Sequence, residues 1–220
     1  MGTAFRGWSD SALDFYRRLE VDNSKAFWTA NKEIYETEVR APFDALNDVV
    51  ADEFGPLRVF RPFRDLRFSR DKTPYKTHCG AVTEGEGGEA FYVEISADGL
   101  LAASGYWMMG RDQLARYREA VDDERAGRAL EEAVAAVRGR RLTIEGHSLK
   151  AAPRGYRRDH PRIDLLRHKS LAAMRSFEPA GWLHTKAAAT RITDTWRAAR
   201  PIHDWLARHV GPSIEPPPAP

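Results

Sequence analysis

The order in which hydrophobic periodicity changes along this chain constrains its fold most. Apolar residues recur at helical spacing from Leu13 to Val50, alternate at strand spacing from Phe63 to Trp107, and return to helical spacing from Leu114 to Val137. Clustered helices, then strands, then helices argue for an α+β domain, a mainly antiparallel sheet with N-terminal and C-terminal helices packed around it. A doubly wound fold would alternate the two strictly. Ser9 or Asp10 caps a first helix carrying Leu13, Phe15, Tyr16 and Leu19, Ser24 starts a second, and Pro42 kinks or breaks the run before Gly55. Ala90 to Ile95 and Leu100 to Trp107 read as meander strands after a glycine turn, and Leu142 to Ile144 and Ser170 to Phe177 as later ones. The final helix is expected from Ala189 to Val210. One domain over 1–211 and a Pro-rich disordered tail over 212–220 follow.

Within the strand region, Arg61 to His78 hold four Arg, two Lys and two Asp. The alternation reads as a hairpin, with one strand from Phe63 to Ser69, a loop broken at Pro74, and a second strand running to Thr83. With Ser69 opposite Lys76, one face would carry Asp65, Arg67, Ser69, Lys76 and His78. Cations gathered on one face destabilise a fold unless an anion or acid compensates, so the stretch reads as a site. Arg64 shares its face with Leu66 and Phe68, and so either snorkels to an edge or pairs with a buried acid such as Glu94.

A second polar constellation runs from Lys150 to Lys169. Pro153, Gly155 and Pro161 keep it irregular, and a charged loop of this length with an aromatic at Tyr156 is commonly functional. The whole-chain charge of +2 gives no field that marks a nucleic-acid or membrane-surface protein, so anion binding must be local. The single Cys79 excludes an intrachain disulfide and a Cys-based zinc cluster, and fits a reducing, cytoplasmic compartment. No apolar run approaches the roughly 18 residues that a membrane span needs. There is no H-E-x-x-H and no G-x-G-x-x-G or Walker pattern, so neither a metal nor a cofactor is expected.

The two constellations also carry a likeness. Asn31, the run Arg64-Asp65-x-Arg67-Phe68-Ser69-x-Asp71-Lys72-x-Pro74-Tyr75-Lys76, Gly105, and Pro153-x-Gly155-Tyr156-x-x-Asp159-His160-Pro161 with Leu165, Leu166 and Lys169 form the pattern. In these residues the chain resembles the uncharacterised bacterial and fungal family catalogued as domain of unknown function 2461. The resemblance implies a similar site and supplies no activity.

The expected ligand-binding residues are Arg64, Arg67, Lys72, Tyr75, Lys76, Arg154, Tyr156 and Lys169, with Asp65, His78 and His160 as the acid/base candidates. Their charge fits a small anionic ligand, phosphorylated or carboxylated, and names no reaction. The alternatives are a nucleic-acid module with a basic track through Arg61, Arg64, Arg70, Lys72, Arg154, Arg157 and Arg158, and a structural scaffold or protein-interaction domain. The small-ligand reading expects the 154–169 loop to lie over the Asp65/Arg67/Lys76 face.

Overall fold

The computed structural model describes residues 4–65, 67, 71–84 and 90–214. The first helix, α1 (Asp10–Val21), buries the stripe of Leu13, Phe15, Tyr16 and Leu19. In α2 (Lys25–Ile34) the Ser24 hydroxyl accepts the Phe27 N–H at 3.1 Å, the capping bond its sequence position calls for. The kink expected at Pro42 is displaced upstream. A π-helical turn, Tyr35–Arg40, leads directly into α3 (Ala41–Phe54), and Pro42 sits in the first turn of α3. Proline donates no N–H and crowds the carbonyl four residues before it, which a widened turn accommodates.

Six strands form one antiparallel sheet in the order β1-β2-β3-β4-β6-β5, so the expected α+β class is the observed one. The strands are β1 (Arg58–Val59), β2 (His78–Glu84), β3 (Ala90–Ser96), β4 (Gly99–Tyr106), β5 (Thr143–Glu145) and β6 (Leu171–Phe177). Along β3 the side chains of Phe91, Val93 and Ile95 are buried and those of Tyr92 and Glu94 half-exposed, the alternation of a sheet covered on one face. Helices α4 (Arg111–Asp122) and α5 (Glu124–Gly139) follow β4, α6 (Ile163–Leu166) is a single turn before β6, and α7 (Ala187–His209) comes last.

The chain divides into two compact units, each assembled from three stretches. The first takes Met1–Thr83, Tyr92–Ala102 and Ser176–Asp194. Its N-terminal segment is fastened by Trp8, whose amide donates to Leu183 O at 3.0 Å and whose indole donates to Val39 O at 3.1 Å. His184 Nδ1 donates to the Trp8 carbonyl at 2.6 Å. The second unit takes Glu84–Phe91, Ala103–Arg175 and Thr195–Pro220, and centres on Tyr106, Tyr117, Leu130, Leu171, Trp205 and Leu206. Of the tail expected over 212–220, the described part is tied to Asp112, which accepts from Ser213 Oγ at 2.7 Å and Ile214 N at 2.8 Å, while 215–220 lie outside the described residues. Among the described residues, no helix is long and apolar enough to cross a membrane.

Candidate functional site

Among the described residues, the polar stretch does not form the long hairpin its alternation predicts. Phe63 and Tyr75 make an isolated antiparallel bridge, with Arg64 N donating to Pro74 O at 2.9 Å and Lys76 N to Pro62 O at 2.8 Å, and β2 begins only at His78. The pairing therefore runs in a different register from the expected one. Two aspartates explain why. Asp65 Oδ1 accepts the Arg67 N–H at 3.1 Å and Asp71 Oδ1 accepts the Thr73 N–H at 2.9 Å, and such local turns take the backbone away from a ladder. Leu66 and Phe68 to Arg70 lie outside the described residues.

These turns also engage the arginines. Asp65 takes both Nε and Nη2 of Arg67, the latter at 2.8 Å, and that bonding holds the exposed Asp65 carboxyl down at about 2. Arg64 pairs with Asp71 rather than with Glu94, and its Nε donates to Tyr75 O at 2.9 Å. Tyr75 is 5% exposed, stacked on Trp28 at 4.3 Å, with its amide and carbonyl both held by the Asn23 side chain at 3.0 and 3.1 Å. Lys72 is exposed.

What remains is a sheet face. Lys76, His78 and Gly80 alternate onto the side of β2 that meets Tyr92 and Glu94 of β3, with Phe60 beside them. A Cβ at Gly80 would stand 2.8 Å from the Tyr92 ring, so the glycine makes room for it. Tyr92 OH donates to Glu94 Oε2 at 2.5 Å, and His78 Nε2 lies 3.7 Å from the same oxygen. The Lys76 ammonium stands over the Phe60 ring at 5.3 Å and, among the described residues, has no hydrogen bond or ion pair. Burial lowers its pKa, and Arg61 and Arg64 lower it further. Burial likewise lowers that of His78, against the pull of Glu94. On the opposite face Cys79 is buried, its thiol 3.8 Å from Tyr35 OH and pushed up to about 11 by desolvation, the environment of an inert packing cysteine.

The second constellation belongs to the other unit. His160 Nδ1 accepts the Arg162 N–H at 3.0 Å, which leaves Nε2 to donate to Asp122 at 2.9 Å, so both ring nitrogens are occupied by the loop's own bonds. Tyr156 packs edge-on to that ring at 6.4 Å. Arg154 and Lys169 are exposed. Arg162, which no sequence pattern singles out from its basic run, is the residue that pins the loop: it is 8% exposed and bonds Glu124 at 2.9 Å and Glu131 at 3.1 Å. Among the described residues, no group of three or more His, Cys, Asp or Glu is placed to hold a metal.

A family model matches residues 11–205, that of the family described as conserved hypothetical protein, domain of unknown function 2461. Neither the curated proteins nor the solved structures give a match.

Proposed function

The chain belongs to this family of conserved hypothetical proteins, and from that premise we propose that it binds a small anion, a phosphorylated or carboxylated compound, on the sheet face that carries Lys76. The observation behind this reading is the state of that ammonium. It is half-buried, lacks an acidic partner among the described residues, and is repelled by Arg61 and Arg64. A cation so placed destabilises the unliganded fold, and a ligand carboxylate or phosphoryl group would supply the missing counter-charge. The nearby acid is already engaged, since Glu94 accepts from Tyr92 and faces His78. His78 can donate a further hydrogen bond to the ligand, whereas the Arg67 charge is already paired with Asp65.

The test is thermal unfolding with and without inorganic phosphate. Binding to the folded state alone raises the melting temperature by linkage. The parent should show the rise, Lys76→Ala should lose most of it, and Arg67→Ala should keep most of it. An equal rise in the parent and Lys76→Ala would place the anion elsewhere and overturn the proposal.

A further inference from the structure

The chain carries +2 overall, yet residues 138–175 hold eleven Lys and Arg against three Asp and Glu, a net of +8 in 38 residues. Packing does not absorb this excess. Two of the three acids are engaged locally, Asp159 with Arg157 at 2.7 Å and Asp164 with Arg167 at 3.0 Å, and Arg162 is turned inward to Glu124 and Glu131. Lys150, Arg154, Arg158 and Lys169 in the loop, and Arg138, Arg140 and Arg141 ahead of β5, are exposed and have no ion pair or side-chain hydrogen bond among the described residues. All of them lie in the second unit.

An aromatic platform stands in the same unit. Trp107 is 58% exposed and Met108 73%, whereas Trp8, Trp28, Trp196 and Trp205 are buried. The Trp107 ring lies 5.9 Å from that of His147, whose carbonyl accepts the Lys169 N–H at 2.7 Å. Ser148 and His168 bridge, and Leu149 N donates to Arg167 O at 2.8 Å, so 147–149 run antiparallel to 167–169. His147 and Lys169 are therefore opposite neighbours with side chains on one side of the ladder, next to Trp107. This ladder continues β5, the edge strand of the sheet.

We infer that this edge is a binding surface for single-stranded nucleic acid, with Trp107 and His147 stacking on bases and Lys169, Lys150 and the neighbouring arginines contacting phosphates. Unpaired strands present the base faces that an exposed indole can stack on, which a duplex hides. A membrane surface is the weaker fit. Interfacial insertion needs an amphipathic helix with an apolar face to bury, and α6, the helix within this basic loop, is a single turn of 4 residues.

The experiment is a fluorescence anisotropy titration of the full chain against a labelled twelve-residue thymidine oligonucleotide at 50 and 200 mM salt. Saturable binding is expected, weakening about fiftyfold across that salt range if about four phosphates are contacted. Trp107→Ala should bind about tenfold more weakly while melting like the parent, since stacking is sequence-tolerant but depends on the ring. The Lys150→Ala/Lys169→Ala double variant should flatten the salt dependence by about two contacts' worth. Heparin, a polyanion without bases, should bind the parent and Trp107→Ala alike. The inference is overturned if the oligonucleotide fails to bind at 50 mM salt, if Trp107→Ala binds it as the parent does, or if phosphatidylserine vesicles are bound in preference to it.

Discussion

Arg162 reads in the sequence as one more cation in a basic run, and its burial depends on a residue 35 positions away. Gly127 lies inside α5, where a Cβ would stand 2.9 Å from both Cδ and Cζ of Arg162. An isolated glycine within a helical pattern was the available signal. Alanine at 127 would gain about 1 kcal/mol of helix propensity, but the clash with the guanidinium and the Val121 carbonyl costs about 1–3 kcal/mol. Gly127→Ala should therefore lower the melting temperature, and a rise would show that Arg162 repacks freely. Lys76 predicts the opposite sign: Lys76→Met, which keeps the apolar stem over Phe60, should melt somewhat above the parent in phosphate-free buffer, as at a site where stability yields to binding. His78 sets a pH dependence. Its folded pKa lies below the ordinary 6.5, so over the interval between them the unfolded chain binds more protons. Stability present above about 6.5 should fall as pH drops through that interval and level off below the folded value. The fall should be smaller in His78→Gln, measured by urea midpoints from pH 7.5 to 5.

Among the elements, those with local signals were legible and those fixed at long range were not. Ser24 announced α2 through its own side chain, and Ser24→Ala should lower stability by about 1 kcal/mol. The hairpin shows the other case. Alternation from Phe63 onward matches a strand, yet the Asp65 and Asp71 turns compete with ladder pairing, and composition alone does not rank the two. The segment is instead held by Asn23, 52 residues earlier in the chain, a partnership that no local pattern marks. Asn23→Ala would leave the amide and carbonyl of buried Tyr75 without that partner, a loss of about 1–3 kcal/mol. Because Tyr75 is next to Lys76, the same variant should weaken the phosphate-dependent rise in melting temperature. Retention of the full rise would separate the anion site from the bridge.

At the scale of the whole molecule, the α+β class was legible because it depends only on where periodicity switches. The interleaving of two units was not, since no local pattern records which distant stretches share a core. Neither unit is a continuous piece of chain. A chain ending at Asp194 would lack Trp196, Ile202, Trp205 and Leu206, all buried, and should give no near-ultraviolet circular dichroism from the second unit's core. The fastening of Trp8 has a consequence for biosynthesis. Its amide and carbonyl partners, Leu183 and His184, leave the ribosome some 175 residues after it does. At about 5–20 residues per second, roughly 9–35 s pass during which the segment around Trp8 has no Leu183 or His184 to bond. Trp8 thus waits longer than most residues for its final partners, and for that interval its indole is available to any chaperone that scans emerging chains for aromatic side chains.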